Sequence, residues 1–255
     1  MSLHTALRPK YRSFPTLIFP ISRNSSSTSR WKLRQQGDSA ARDAKRRGLK
    51  SRAAFKLLEM DSKYRLFKPG MTVVDLGYAP GSWSQVAIDR TTRRGTVIGI
   101  DLIPAQPPSG VTAFQGDFLS PDVQQFMKDY ISKTSLTKKQ GTRSGVADHT
   151  VEDSKGSASG VVDVVLSDML MNTSGTPFRD HAGSMNLCRA ALQFSMDTLK
   201  IGGHFVCKFY QGIEDKAFEY ELKAAFSHVF REKPDASRSE SREAYFVALR
   251  RKARQ

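Results

Sequence analysis

Apolar positions along the chain gather into short runs that alternate with stretches of helical period. Thr72-Val73-Val74 runs into Asp75, Thr96 to Ile100 into Asp101, Val111 to Phe114 into Gly116-Asp117, and Val161 to Leu166 into Ser167-Asp168. His204 to Tyr210, Val229 to Glu232 and Ala244 to Leu249 complete seven such runs. Short, β-branched and bounded by turn residues, they predict buried strands. Between them, Ala53, Ala54, Leu57 and Leu58 form a helical stripe, and Asn186 to Leu199 and Glu214 to Phe226 carry the same period. Ile201-Gly202-Gly203 reads as the glycine cap that ends the second of these helices. Strands alternating with helices predict an α/β fold around a mostly parallel, seven-stranded sheet. Only a loop separates the last two runs, so the terminal strand is expected to be antiparallel, a hairpin partner to strand six.

Candidate chemistry lies in Met71 to Ala87, MTVVDLGYAPGSWSQVA, which reads as strand, glycine loop and helix start. Such a unit aims free backbone N–H groups and the positive end of a helix at a ligand beside a strand's carboxyl end. Gly77 and Gly81 permit the sharp turn and a close approach of the backbone. The spacing is not G-x-G-x-x-G, and Pro80 removes a donor that a pyrophosphate would use. Asp75 and Asp101 would repel a phosphate but suit a sulfonium, an ammonium and ribose hydroxyls, as in S-adenosylmethionine. Asp101 follows Gly77 at about the distance where doubly wound folds hold a ribose. Lys208, inside an apolar strand, is costly unless its ammonium reaches a site.

The net charge of +15 is concentrated rather than spread. Met1 to Arg52 holds thirteen Lys/Arg against Asp38 and Asp43, which places +11 of the total there. Residues 1–37 lack acidic residues and carry a serine-rich patch, the composition of a mitochondrial transit peptide. The methyl-donor fold is expected over 38–255, with a disordered polar insertion at about 132–160. Arg46, Arg47, Lys50 and Arg52 precede the first helical stripe and could track a phosphate backbone, although a solvated face is the ordinary fate of such a cluster. No apolar run approaches the ~20 residues of a membrane helix. Cys188 and Cys207 lack metal-ligand spacing and sit in apolar segments, so neither a metal site nor a disulfide framework is expected.

GLKSRAAFKL, FKPGMTVVDLGYAPGSWSQVA, IDLIP, QGDF, LSDM with N-x-S-G-T-P, GGHFVCKFYQG and KPDASRSESREAYFVA occur in that order. Together they resemble the RrmJ/FtsJ family of ribose 2'-O-methyltransferases, from about Gly48 to the C-terminus. The resemblance implies a Rossmann-like, S-adenosylmethionine-dependent fold and a catalytic Lys-Asp-Lys-Glu tetrad, here Lys56, Asp168, Lys208 and Glu243. It also implies cofactor contacts at Gly77, Pro80, Gly81, Ser82, Trp83, Asp101, Asp117 and Asp168. Many relatives have a small residue where Tyr78 stands, and Ala-Pro where Leu170-Met171 stand, so narrowing of the methionine pocket and a reshaped RNA path are expected.

Large-subunit ribosomal RNA follows from the resemblance as the substrate, at a uridine of the peptidyl transferase region. The acid-free N-terminus adds the mitochondrial matrix. A monomer acting on ribosomal RNA or the large-subunit particle, without membrane insertion, is the resulting expectation. A methyltransferase for the tRNA anticodon loop and a non-catalytic ribosome-assembly factor are the alternatives, the second disfavoured by the intact tetrad. The residues leave open whether Lys208 takes a proton from the ribose hydroxyl or orients it.

Overall fold

The alternation of side chains between the two faces of the central strands decides how the sheet is covered. A computed structural model describes residues 38–92, 94–141, 160–238 and 240–253. The strands are β1 (Thr72–Leu76), β2 (Thr96–Asp101), β3 (Val111–Gln115), β4 (Val162–Ser167), β5 (Leu199–Tyr210), β6 (Phe226–Glu232) and β7 (Glu243–Arg251). Helices α1 (Ser39–Arg46) and α2 (Ala53–Tyr64) precede them, α3 (Ser82–Thr91) follows β1 and α4 (Pro121–Gly141) follows β3. Helices α5 (Pro177–Thr198) and α6 (Asp215–Ala225) flank β5. One face of the sheet presents Val73, Val97, Val164, Leu166, Val206, Tyr245 and Val247 to α2 and α3, around Leu57, Met60, Trp83 and Val86. The other presents Val74, Ile98, Val165, Phe205, Cys207 and Phe246 to α4, α5 and α6, around Met127, Phe194 and Phe218. Alternation in the central strands therefore yields a three-layer α/β/α unit. Each fully buried Leu or Phe contributes about 1.5–3 kcal/mol to it.

The strand order is β3-β2-β1-β4-β5-β7-β6. Pairs β1–β2, β2–β3, β1–β4 and β4–β5 are parallel. Strand β7 is antiparallel to β6, as expected, and also to β5, between which it is inserted. Burial explains the insertion. Residues Ala244 to Ala248 are buried in succession, which suits a strand with two neighbours, whereas β6 exposes Ser227, His228, Phe230 and Arg231 and takes the edge.

Two expectations fail locally. Helix α5 ends at Leu199, already extended, and Gly202-Gly203 lie inside β5 rather than capping the helix. They form a bulge, because the register advances from Leu199 to His204 while β4 advances from Val162 to Val164, and Gly202 takes φ +82° there. Helix α4 runs to Gly141, well into the stretch read as a polar insertion. Its hydroxyls fold back along the helix, Ser132 to the Lys128 carbonyl, Thr134 to Tyr130 and Thr137 to Lys133, so polar composition did not stop it. The remainder of that insertion and the segment read as a transit peptide lie outside the described residues.

Candidate active site

The glycine loop is held by backbone groups and one side chain of β2. Gly77 takes φ +77° and Gly81 φ +104°, and a Cβ at Gly77 would lie 2.8 Å from the Met169 Cα. Gly77 and Tyr78 N–H groups donate to the Ile100 carbonyl at 2.8 and 3.2 Å. Both oxygens of Asp101 accept backbone N–H groups, Ala79 and Ile103, each at 2.9 Å. Asp101 thus ties the loop to β2 while keeping lone pairs for a ribose hydroxyl. Asp117 holds its own turn in the same way, accepting from Leu119 N–H at 2.9 Å. The Tyr78 ring packs over Gly99, and its hydroxyl donates to the Ala105 carbonyl, so the bulk of Tyr78 is taken up over β2.

A narrow cleft of about 30 Å³ separates this loop from Asp168, lined by Ala53, Gly77, Tyr78, Ala79, Pro80, Ser82 and Trp83. Two of these side chains are also bolts. Ser82 shares a hydrogen bond with the Ser51 hydroxyl at 2.7 Å, and Trp83 Nε1 donates to the Ala53 carbonyl at 2.9 Å. Trp83 is buried against Tyr245, ring centroids 5.6 Å apart, so it links α2 to β7.

The tetrad comes together on the sheet face that α2 covers. Lys208 keeps the parity of Val206, Asp168 that of Leu166, and Glu243 that of Tyr245 and Val247, so all three belong to that face. Lys208 Nζ donates to the Asp168 carbonyl at 2.7 Å and lies 3.1 Å from its Oδ1. Lys56, one turn into α2, donates to Glu243 Oε1 at 2.5 Å. The two pairs are joined by Tyr245, which stands opposite Lys208 in the β5–β7 register. Its hydroxyl donates to Asp168 Oδ1 at 3.1 Å and accepts from Lys56 Nζ at 3.3 Å.

Sequence reasoning missed Tyr245. The signal was present, because it stands two residues after Glu243 and therefore on the same face. Burial holds the Tyr245 hydroxyl far above its ordinary pKa, with the Asp168 and Glu243 carboxylates adding to it, so it stays protonated and able to donate. Burial alone would raise Glu243, but Lys56 and Lys208 bring it below its usual value, which keeps it ionised.

Asp75 carries the most unusual electrostatics. It is fully buried, its Oδ2 accepts from Ser84 at 2.7 Å, and its Oδ1 has no partner. Burial, with the charges of Asp168 and Asp101 adding to it, pushes its pKa up to about 7. Three carboxylates thus crowd the strand ends, an arrangement that repels anions and favours a cation. Such acceptors suit a sulfonium with an ammonium and ribose hydroxyls.

The basic cluster divides into two jobs. Lys50 Nζ donates to the Gln106 carbonyl at 2.6 Å and Arg52 to the Ala236 carbonyl at 2.6 Å, which fastens the N-terminal segment to the fold. Arg46 and Arg47 stay largely exposed, pairing with Asp43 at 2.6 and 3.2 Å. Among the described residues, no group of His, Cys, Asp or Glu could hold a metal ion. No described helix is long and apolar enough to cross a membrane.

A parallel sheet with a non-pyrophosphate glycine loop at its carboxyl edge, beside paired lysines and carboxylates, defines the class of Rossmann-like methyltransferases. The chain belongs to the FtsJ-like methyltransferase family, whose pattern matches residues 49–251. It is 35% identical to the mitochondrial rRNA methyltransferase 2 of Saccharomyces cerevisiae, covering 90% of this chain and 89% of the relative. Against the mitochondrial rRNA methyltransferase 2 of Schizosaccharomyces pombe the identity is 41%, over 87% of this chain and 95% of the relative. A ribosomal RNA large subunit methyltransferase E from Thiobacillus denitrificans is 40% identical, with coverage of 89% and 92%. The crystal structure of a ribosomal RNA methyltransferase from Plasmodium falciparum superposes with a TM-score of 0.63 at 27% identity, covering 80% of this chain and 99% of that one.

Proposed function

We propose that this protein transfers a methyl group from S-adenosylmethionine to a ribose 2'-hydroxyl of mitochondrial large-subunit ribosomal RNA, in the mitochondrial matrix. The observation that carries the chemistry is the Lys208–Asp168–Tyr245–Lys56–Glu243 chain of contacts beside the glycine loop. The names of the two yeast relatives support the RNA and the organelle, and residues 1–37 would supply the import signal.

When bound, S-adenosylmethionine supplies an electrophilic methyl on a sulfonium. Gly77 to Trp83 would cradle it, Asp101 would hold its ribose, Asp117 its base, and Asp75 with Asp168 would balance its positive charge. Methyl transfer is an in-line displacement, so placing the hydroxyl is most of the work. Lys208 acts at that hydroxyl. Held by the Asp168 carbonyl and carboxylate, its Nζ orients the oxygen, and the proton that the hydroxyl gives up as the new O–C bond forms goes to Nζ if the amine is neutral and to water if it is charged. Asp168 fixes Lys208, and the Lys56–Glu243 pair closes the other side. Arg46 and Arg47, exposed although paired with Asp43, would meet phosphates.

The test is methyl transfer to protein-free rRNA and to large-subunit particles, with ribose methylation mapped by position. One new 2'-O-methyl mark on large-subunit RNA is expected. A mark confined to the tRNA anticodon loop, or none at all, overturns the assignment. Asp101→Asn should weaken cofactor binding in calorimetry while the fold persists, and unchanged affinity contradicts the ribose contact.

A further inference from the structure

The carboxyl edge of the sheet carries an apolar feature that methyl transfer itself does not use. Phe178, in the first turn of α5, is 71% exposed, and Ile213, in the loop between β5 and α6, is 86% exposed. Leu170, two residues beyond Asp168, is 54% exposed. Three large apolar side chains thus stand exposed on the segments that follow β4 and β5.

They belong to loops that are held firmly. Asp180 accepts from Ser174 N–H at 2.6 Å, from the Ser174 hydroxyl at 2.8 Å and from Gly175 N–H at 3.2 Å, which fixes the loop after β4. Buried His181 fixes the loop after β5. Its Nε2 accepts from Glu214 N–H at 3.0 Å, and its Nδ1 stands 2.7 Å from the Tyr210 carbonyl, so that nitrogen carries the proton. Gly212 lies against the same ring, so closely that a Cβ there would overlap it. Ile213 sits between the two residues that touch His181, and Phe178 is one turn before His181 on the same face of α5. The two exposed side chains therefore flank one anchor.

Charge says what covers them. The acids nearby are engaged internally, Glu214 by Arg189 at 2.9 Å, Asp215 by Arg231, and Asp180 by the loop it holds. Exposed cations of the same segments are Arg179, Lys216 and Arg242, the last joined to the loop through the bond from Gln211 N–H to its carbonyl. Apolar contact ringed by cations fits an unpaired nucleotide, whose base has a π face and whose neighbours carry phosphate. It lies at the same edge as Lys208 and Asp168.

We propose that Phe178 and Ile213 form a contact for a splayed-out base of the RNA substrate, with Arg179, Lys216 and Arg242 receiving the flanking phosphates. This rests on the RNA methyltransferase reading. The contact acts in substrate binding, so it sets KM and not the chemical step.

The experiment uses the full chain and protein-free large-subunit rRNA fragments. Phe178→Ala and Ile213→Ala should each raise the KM for RNA, the first by about 5- to 150-fold, with kcat and S-adenosylmethionine affinity unchanged. In a Phe178→Trp protein, unstructured oligouridylate should quench tryptophan emission and an abasic oligonucleotide of equal length should not. Unchanged KM in both alanine variants, or equal quenching by the abasic strand, overturns the proposal. So does a KM rise seen with intact particles but not with protein-free RNA, because the face would then dock a ribosomal protein. If the wild-type protein methylates no RNA, the proposed function fails, and the quenching comparison still decides this surface.

Discussion

The two halves of the sheet edge are built by different means. At the ends of β2 and β3 the carboxylates are tied to backbone N–H groups. Asp117 accepts from Leu119, Asp101 from Ile103 and from Ala79. Around β4, β5 and β7 they are tied to side chains far away, Lys56 to Glu243 across 187 positions and Asp168 to Tyr245 across 77. A half fixed to backbone presents its polar groups in place before a ligand arrives. A half fixed by side-chain pairs depends on each member, because deleting one leaves a charged partner short of a contact. Losses on the β1–β3 side should therefore appear as binding, and losses on the β4–β7 side as rate.

Lys208 offers the largest break in that pattern. Lys208→Ala should lower kcat by about 10²- to 10⁴-fold while the KM for RNA and the affinity for S-adenosylmethionine hold. Substantial activity in this variant refutes the tetrad. Lys208→Arg should keep part of the rate if charge and placement are what matter, whereas a rate as low as that of the alanine variant, with affinities intact, points to proton transfer.

Asp75 belongs to the β1 half but behaves like a buried charge, which sharpens the comparison. Its folded pKa of about 7 lies above the unfolded value, so the folded state holds the proton more tightly. The stability this confers is complete below about pH 4 and is lost as pH rises through 7, a change on the order of 4 kcal/mol. In denaturant titrations without cofactor, Asp75→Asn should remove that slope and be more stable than wild type at pH 8. Identical pH profiles for the two proteins would show that Asp75 is not strained.

Tyr245→Phe tests whether the side-chain half works as one network. Losing the hydroxyl between Asp168 and Lys56 should cost about tenfold in kcat, with KM and cofactor affinity unchanged. A drop in affinity instead would make Tyr245 a packing residue beside Trp83. The smallest effect is expected outside both halves. Neutralising Arg46 and Arg47 together should flatten the dependence of log K on log salt by about 1.4 for single-stranded RNA. An unchanged slope would leave them a solvated face.

Much of the cofactor side was legible in the residues. Glycines at positions that take positive φ, an aspartate after each β-branched run and a proline without an N–H are local facts, and local geometry follows from them. The catalytic side was legible only in part. Lys208 stood out as a charge in an apolar strand and Asp168 as a strand-end carboxylate, but Lys56 and Glu243 came from resemblance to a family. The Gly202-Gly203 pair misled because a helix cap and a strand bulge ask the same of a glycine backbone, and only the pairing of Leu199 with Val162 separates them.

Within each unbroken strand run the sequence by itself determined which residues share a face, because a period of two is a property of the strand alone. It also determined that a cationic ligand suits the loop, since three aspartates close successive strands. Tertiary structure alone decided that β7 lies between β5 and β6, and with it that Tyr245 stands opposite Lys208. Strand order is chosen by how completely each strand's two faces can be buried against all the others. That competition involves the whole chain at once, so the meeting of Lys56 with Glu243 and of Asp168 with Tyr245 could be set nowhere but in the folded protein.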